Sequence, residues 1–423
     1  MTGLGAGDKS CARRSRSGGL ARGGVRSARP PHYVDGHSGI LEHPSPCDRM
    51  KNSGVRIEPV TGWRDRRTYT TLPYRMRGQE PDWVPPLLID ERRTFTSHNL
   101  ATRYCDHARW LARDSRGHAV GRIAAIINHR YNELKGERSG RFAELECPND
   151  PEIAALLLGA ACDWARAAGM ERVLGPMSFT DQDPEGFLIE GFGERTSIAT
   201  YQNPAYIPPL MEQFGWEKHT DYVVYKVPVP EVLPRSYQVV QRRLRGTAYE
   251  VLEFTRRSEL KPLVRPILRL MNECFTEIEG YAPLDDLEID DLATRYLPVI
   301  DPRFVKAVRD GKGLASFVIA LPDMTEGLKK SRGRLLPIGW WWLLRAGKHA
   351  RRLDLLLGGI RPDVRGRGVD VLMGSAFMAS ARQAGFEYLD SHHELETNRP
   401  IRAEMEAMGG VVYKRFRIYR KSI

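Results

Sequence analysis

Residues 353–385 read LDLLLGGIRPDVRGRGVDVLMGSAFMASARQAG. An apolar run, Leu353–Ile360, predicts a buried strand. The Arg- and Gly-rich loop Arg365-Gly366-Arg367-Gly368 follows, and Val369 then opens a helix of small and apolar residues ending at Gly385. Backbone N–H groups at such a strand–loop–helix junction converge on an anion, and glycine lets the chain approach it closely. Arg365 and Arg367 add positive charge and bidentate reach. The pattern predicts a pyrophosphate site. It is neither a Walker loop, which needs Gly-Lys-Ser/Thr, nor a GxGxxG dinucleotide fingerprint. The alternative is an ordinary glycine-rich turn with solvated arginines.

With 423 residues, 41% of them apolar, the chain is long enough for two packed domains. A net charge of +11 points to anionic partners: coenzyme A, nucleic acid or an acidic membrane surface. Nucleic acid has no motif here beyond the charge. The six cysteines form no CxxC pair and no zinc spacing, which predicts reduced cytosolic thiols and no metal. No apolar run reaches the roughly 20 residues of a membrane span. Residues 1–49, rich in Gly, Ser and Arg without periodicity, predict a disordered tail or a start codon placed too far upstream.

The C-terminal half reads as strand Tyr249–Phe254, helix Leu260–Ile278 kinked near Pro266, and helix Asp286–Leu297. Antiparallel strands Phe304–Val308 and Leu314–Leu321 follow, then a hydrophobic strand at Leu336–Leu344. After the opening stretch come strand Glu387–Ser391, helix Pro400–Met408 and strand Val411–Tyr419. The N-terminal half repeats this order. Ala165-Arg166-x-Ala168-Gly169 matches Ala381-Arg382-x-Ala384-Gly385, 216 positions on, and Asn203 with Leu210–Gly215 parallels Asn398 with Glu404–Gly409. Two matches in order support a tandem duplication. Pro228–Pro234 marks the junction. The expected organisation is an N-terminal domain over 50–228, a linker over 229–245 and a C-terminal domain over 246–423.

Ile360-x-Pro362 and Arg365-Gly366-x-Gly368 match the coenzyme A motif of the GNAT superfamily of N-acetyltransferases, and the α+β element order is similar to that fold. The phrases Val120–Ala125, GPMSF…EGFL, Asn203-Pro204-x-Tyr206 and Phe214-Gly215 resemble a bacterial group of tandem GNAT proteins. The bacterial ceramide synthases, which N-acylate a sphingoid base, resemble this group too. The resemblance implies two tandem GNAT domains with acyl-CoA held by Gly358, Gly359, Ile360, Arg365, Gly366, Arg367, Gly368, Val369 and Asn398. The N-terminal copy has Glu146–Glu152 where the phosphate loop would be, so that acidic stretch predicts a degenerate domain facing the acceptor.

Acyl transfer to an amine needs a base, and Asp354, His392 and Glu394 are the candidates; Asp354 alternatively pairs with Arg351 or Arg352. His392 and Glu394 suggest metal only if a third ligand exists, and none is evident. The superfamily's acid tyrosine is replaced by Met405, and by Met211 in the first copy. The insertion Gly175–Tyr201, with Asp181, Asp183, Glu185 and Phe187, predicts an acceptor site, or a turn capped by its acidic residues. Trp341, in a run of three tryptophans, either fills a central strand or lines an acyl-chain groove. The function expected is transfer from acyl-CoA, including long-chain acyl-CoA, to a primary or lipid-like amine by a cytoplasmic bacterial enzyme touching an anionic inner membrane. The alternative is an impaired GNAT protein acting as an acyl-CoA sensor.

Overall fold

The computed structural model describes residues 54–198 and 200–423; the expectation for residues 1–49 lies outside them. The N-terminal half runs β1 (Arg56–Pro59), α1 (Trp63–Met76), α2 (Leu88–Arg93), β2 (Cys105–Arg113), β3 (Ala119–Asn128), α3 (His129–Lys135), β4 (Ser139–Glu146), α4 (Pro151–Ala167), β5 (Arg172–Gly175), β6 (Phe187–Glu190), α5 (Ile207–Gln213) and β7 (Glu217–Pro228). The C-terminal half runs α6 (Arg235–Leu244), β8 (Glu250–Glu253), α7 (Arg257–Leu260), α8 (Val264–Cys274), α9 (Asp286–Tyr296), β9 (Val305–Asp310) and β10 (Gly313–Pro322). It continues with α10 (Thr325–Ser331), α11 (Gly339–Lys348), β11 (Arg352–Ile360), α12 (Val369–Gln383), β12 (Tyr388–Asp390), β13 (Glu394–Leu395), α13 (Arg399–Ala407) and β14 (Val411–Ser422).

All strands join one sheet, whose main path is β1-β2-β3-β4-β5-β14-β7-β12-β11-β10-β9-β8. The central strands are apolar on both faces because helices cover both; β3 is buried nearly throughout. In the N-terminal half α4 covers one face and α1 the other. In the C-terminal half α12 covers one face while α8 and α9 cover the other.

The duplication is visible in the pairing. Each half has a parallel pair of three residues: β4 with β5 at 139–141 and 172–174, and β11 with β12 at 352–354 and 388–390. A helix, α4 or α12, connects the strands of each pair. The last strands are exchanged: β14 of the second half lies against β5, and β7 of the first lies against β12. Neither half holds a complete sheet by itself. The expected linker is also structured, since 235–244 forms α6 against α12 through Tyr237 and Val240.

The strand expected at Leu336–Leu344 is instead a turn at 336–338 followed by the first residues of α11. β10 is already paired on both sides, with β9 and β11, so the tryptophan run has no vacant edge to join. It packs as a helical hairpin on α10, where a Cβ on Gly327 would lie 2.6 Å from the Trp342 carbonyl oxygen. The helix expected over 260–278 is broken into α7, a 3₁₀ turn at Lys261–Leu263 and α8.

Candidate active site

β11 and β12 part after Asp354 and Asp390, where their ladder ends. β11 also carries a bulge: Leu355 and Leu357 pair with consecutive residues of β10, leaving Leu356 as the extra residue. A bulge turns the strand and re-aims its backbone groups beside an opening. The opposite wall is Ser391-His392-His393-Glu394. It is held to β7 because Ser391 N donates to Tyr225 O and Tyr225 N donates to Ser391 Oγ, and by β13 pairing at Glu394 and Leu395.

At the far end of β11 the chain makes a 3₁₀ turn at Pro362–Val364 and enters α12 through Arg365–Gly368. Gly366 and Gly368 have φ of 72° and 85°, a conformation open to glycine at little cost. Gly368 is the N-cap and offers no side chain to the helix N-terminus. A Cβ there would also lie 2.6 Å from Val240 of α6. Arg365, Gly366 and Arg367 are exposed, while Val369 is buried and anchors the helix. A helix N-terminus without a side-chain cap, behind an exposed loop carrying two arginines, fits a pyrophosphate.

In the first half the corresponding features are occupied. Asp150 caps α4, its carboxylate accepting from Glu152 N and Ile153 N. Glu144, at φ 54°, donates its backbone N–H to the Tyr201 hydroxyl at 2.7 Å.

No family model matches the chain. The bacterial ceramide synthase of Caulobacter vibrioides is 27% identical over 389 residues, 88% of this chain and 98% of that protein. Protein YghO of Escherichia coli is 24% identical over 369 residues, 85% of this chain and 93% of its own. Among solved structures, a tandem GNAT protein from the clavulanic acid biosynthesis pathway covers 87% of this chain and 98% of its own, at a TM-score of 0.51 and 12% identity. The chain has the tandem GNAT fold.

Within that tandem GNAT frame the expected site residues separate. Asp354 is fully buried and its Oδ1 lies 2.7 Å from Arg352 Nε. Arg352 also meets Asp323 at 3.1 Å and donates to the carbonyls of Arg195 and Thr196. Beside it, Asp390 pairs with Lys414 at 2.8 Å and accepts from Tyr413 OH, and Lys414 donates to Arg195 O. Asp354 therefore belongs to an ionic ladder that ties the first half's insertion to the second half's sheet. Ile360 directs its N–H to the Cys274 thiol, and a Cβ on Gly359 would strike Phe317 and Cys274. Both face α8; Gly358 has more room. Asn398 caps α13, accepting from Ile401 N.

Glu394 and His392 do stand on the wall of the opening. Desolvation, with Glu404 nearby, raises the Glu394 carboxyl to about 8. His392 has a left-handed φ of 58°, unusual for a residue with a side chain. Burial lowers it to about 4, so its imidazole is neutral near pH 7. Two neighbours escaped the sequence reading. Glu404 of α13 is raised by desolvation, with Asp370 adding, to about 7, and accepts from Tyr237 OH at 3.2 Å. Its signal was its place beside Met405, where the superfamily keeps its acid; Tyr237 was hidden in the presumed linker. His393, the other, stacks on His392 and, at 5.0 Å, on Tyr222.

Tyr222 leads to the insertion. Glu185 lies against it, with Asp181, Arg141 and Glu279 around the same seam. Burial raises the Glu185 carboxyl well above its usual range and Asp181 to about 7. Arg141 donates to Ser178 O and Phe179 O of the insertion and to Gly280 O of the second half, closing the seam. Asp183 instead accepts from Thr180 N and caps a turn. Phe187 is core: β6 pairs with β14, and the ring packs on Phe142 and Tyr201. Trp341 sits on helix α11 rather than in a central strand, packs edge-on against Trp342 and is 45% exposed. Among the described residues no cluster of His, Cys, Asp or Glu is arranged to hold a metal.

Proposed function

We propose that the chain is an N-acyltransferase that moves an acyl group from acyl-CoA to a primary amine, with a long-chain, sphingoid-like base as acceptor. The observation carrying this reading is the meeting of two features across Tyr222 and His393. One is the parted β11–β12 opening beside the Arg365–Val369 loop; the other is the acidic seam of Asp181 and Glu185. The loop would take the pyrophosphate and the bulged edge of β11 the pantetheine arm. At the seam Asp181, raised only to about 7, would draw in the ammonium form of the amine, and the Glu185 carboxyl would hydrogen-bond it.

Glu394 takes a proton from the ammonium, a role that its pKa near 8 suits. The freed amine lone pair forms the new C–N bond at the thioester carbonyl, the nitrogen's second proton passes to bulk water, and the C–S bond breaks. Glu404, held by Tyr237 and half protonated near its pKa of about 7, returns a proton to the departing thiolate. The relative from Caulobacter vibrioides supports the acceptor class, since its name is that of a ceramide synthase.

The test is free-thiol release from acyl-CoAs of increasing chain length, with a panel of amines including sphingoid bases and the amide product identified by mass. Coenzyme A binding without thiol release for any amine would leave the sensor reading in its place.

A further inference from the structure

The α10–α11 hairpin carries a feature that acyl transfer does not use. Leu336, Ile338, Trp340, Trp341 and Leu344 are 79%, 61%, 50%, 45% and 65% exposed. Five large apolar side chains within nine residues form a patch, whereas scattered single ones need no explanation. The flanks are entirely basic. Between Glu326 and Asp354 the chain has Lys329, Lys330, Arg332, Arg334, Arg345, Lys348, Arg351 and Arg352, and no Asp or Glu. Of these, only Arg352 is buried; Arg332, Arg334, Arg345 and Lys348 stand exposed around the patch.

Beneath the hairpin is a cavity of about 620 Å³, lined among others by Lys330, Trp342, Arg345, His349, Arg351 and Tyr388. Two of its further charges are already matched, Arg195 with Glu326 and Arg352 with Asp323. Lys330 and Arg345 lie over the faces of Trp342 and Trp341, at 5.0 and 5.7 Å. The patch thus combines aromatic and aliphatic side chains with cations beside them, which is the composition of a segment seated at a bilayer interface. Basic side chains there meet anionic headgroups, at about 1 kcal/mol for each near the surface.

We propose that the α10–α11 hairpin docks the protein onto an anionic lipid bilayer, with Leu336–Leu344 in the headgroup–acyl boundary and the basic flanks on phosphates. A second copy is a poor occupant, because apposing two such faces would bring the exposed Lys330, Arg332, Arg334, Arg345 and Lys348 of each together. The chain's own residues 1–49 fit no better, with eight basic against four acidic residues. None of the described helices is long and apolar enough to cross a membrane, so the association is peripheral. The inference does not depend on the acyl-transfer reading, since it uses no residue of that site.

The experiment is flotation of the full chain with vesicles of phosphatidylcholine alone or mixed with phosphatidylglycerol, at low and at physiological salt. Binding is expected to the mixed vesicles and to weaken with salt. The variant W340S/W341S/L344S should bind them on the order of a hundredfold more weakly, from three half-exposed apolar side chains removed. The variant K330E/R345E/K348E should lose the preference for phosphatidylglycerol. Circular dichroism and thermal melting of both should match the parent, because every substituted side chain is at the surface. Failure of the parent chain to float with anionic vesicles, or equal flotation of the serine variant, would overturn the proposal. So would a dimer in sedimentation that the serine variant dissolves, since the face would then be a self-contact.

Discussion

Replacing Lys414 with Met tests how the two halves are held together. Lys414 and Asp390 are fully buried, 2.8 Å apart, and Lys414 also donates to Arg195 O of the first half's insertion. Methionine fills nearly the same volume, so the loss is electrostatic. It leaves Asp390 buried with Tyr413, the His392 N–H and the more distant Arg352. Removing one partner of a buried pair costs about 3–5 kcal/mol, because the other charge stays desolvated. Burial alone would raise the Asp390 carboxyl, but Lys414 and Arg352 hold it well below the usual range. A carboxyl depressed in the folded state stabilises the fold above its unfolded value of about 4, and that contribution disappears as pH falls. Lys414→Met should therefore lower the urea midpoint at pH 7, by an amount that shrinks as pH falls below about 4, because the Asp390 carboxyl is no longer held down by its cation and can take up a proton in the folded state. The double variant K414M/D390L, which removes both charges, should recover most of the loss. Urea titrations followed by tryptophan fluorescence give all three quantities. A cost below about 1 kcal/mol, or no recovery in the double variant, would refute the reading of this pair as a buried ion pair on which the fold depends.

Three further outcomes follow from the site. Arg365→Glu with Gly366→Val places a negative charge and a β-branched residue where φ is 72°, and should weaken coenzyme A binding by calorimetry on the order of a hundredfold while the melting temperature changes little. Glu394→Gln should remove a limb of kcat/KM that rises with pH through about 8, because only the ionised carboxylate accepts the ammonium proton; an unchanged limb would assign the base elsewhere. Glu185→Gln should raise the acceptor's KM several-fold and leave coenzyme A affinity within about twofold, whereas the reverse pattern would place the acceptor away from this seam.

The parts legible in the sequence are those whose determinants are local. Leu353–Ile360, the glycine loop and α12 lie on consecutive residues, and each step carries its own signal: an apolar run, two glycines, small helical residues. The duplication was legible because α4 and α12 kept similar sequences between the strands of their parallel pairs. The strand exchange left no such mark. Val411–Tyr419 reads as a strand, but which edge it and β7 join depends on residues far along the chain, such as Gly175 facing Tyr419 and Pro228 facing Tyr388. The ionic ladder was hidden for the same reason. Lys414, a lysine in an alternating strand, looks solvent-facing until β14 lies beside β7 and its side chain meets Asp390. The three tryptophans mislead by composition: an apolar run fits a strand, but only if an edge is free. With β10 saturated, the chain's alternatives were a buried helix or an exposed one, and burial was closed off by the arginines and lysines on either side. An exposed tryptophan helix costs solubility in water, and the bilayer contact proposed for this hairpin would cover it.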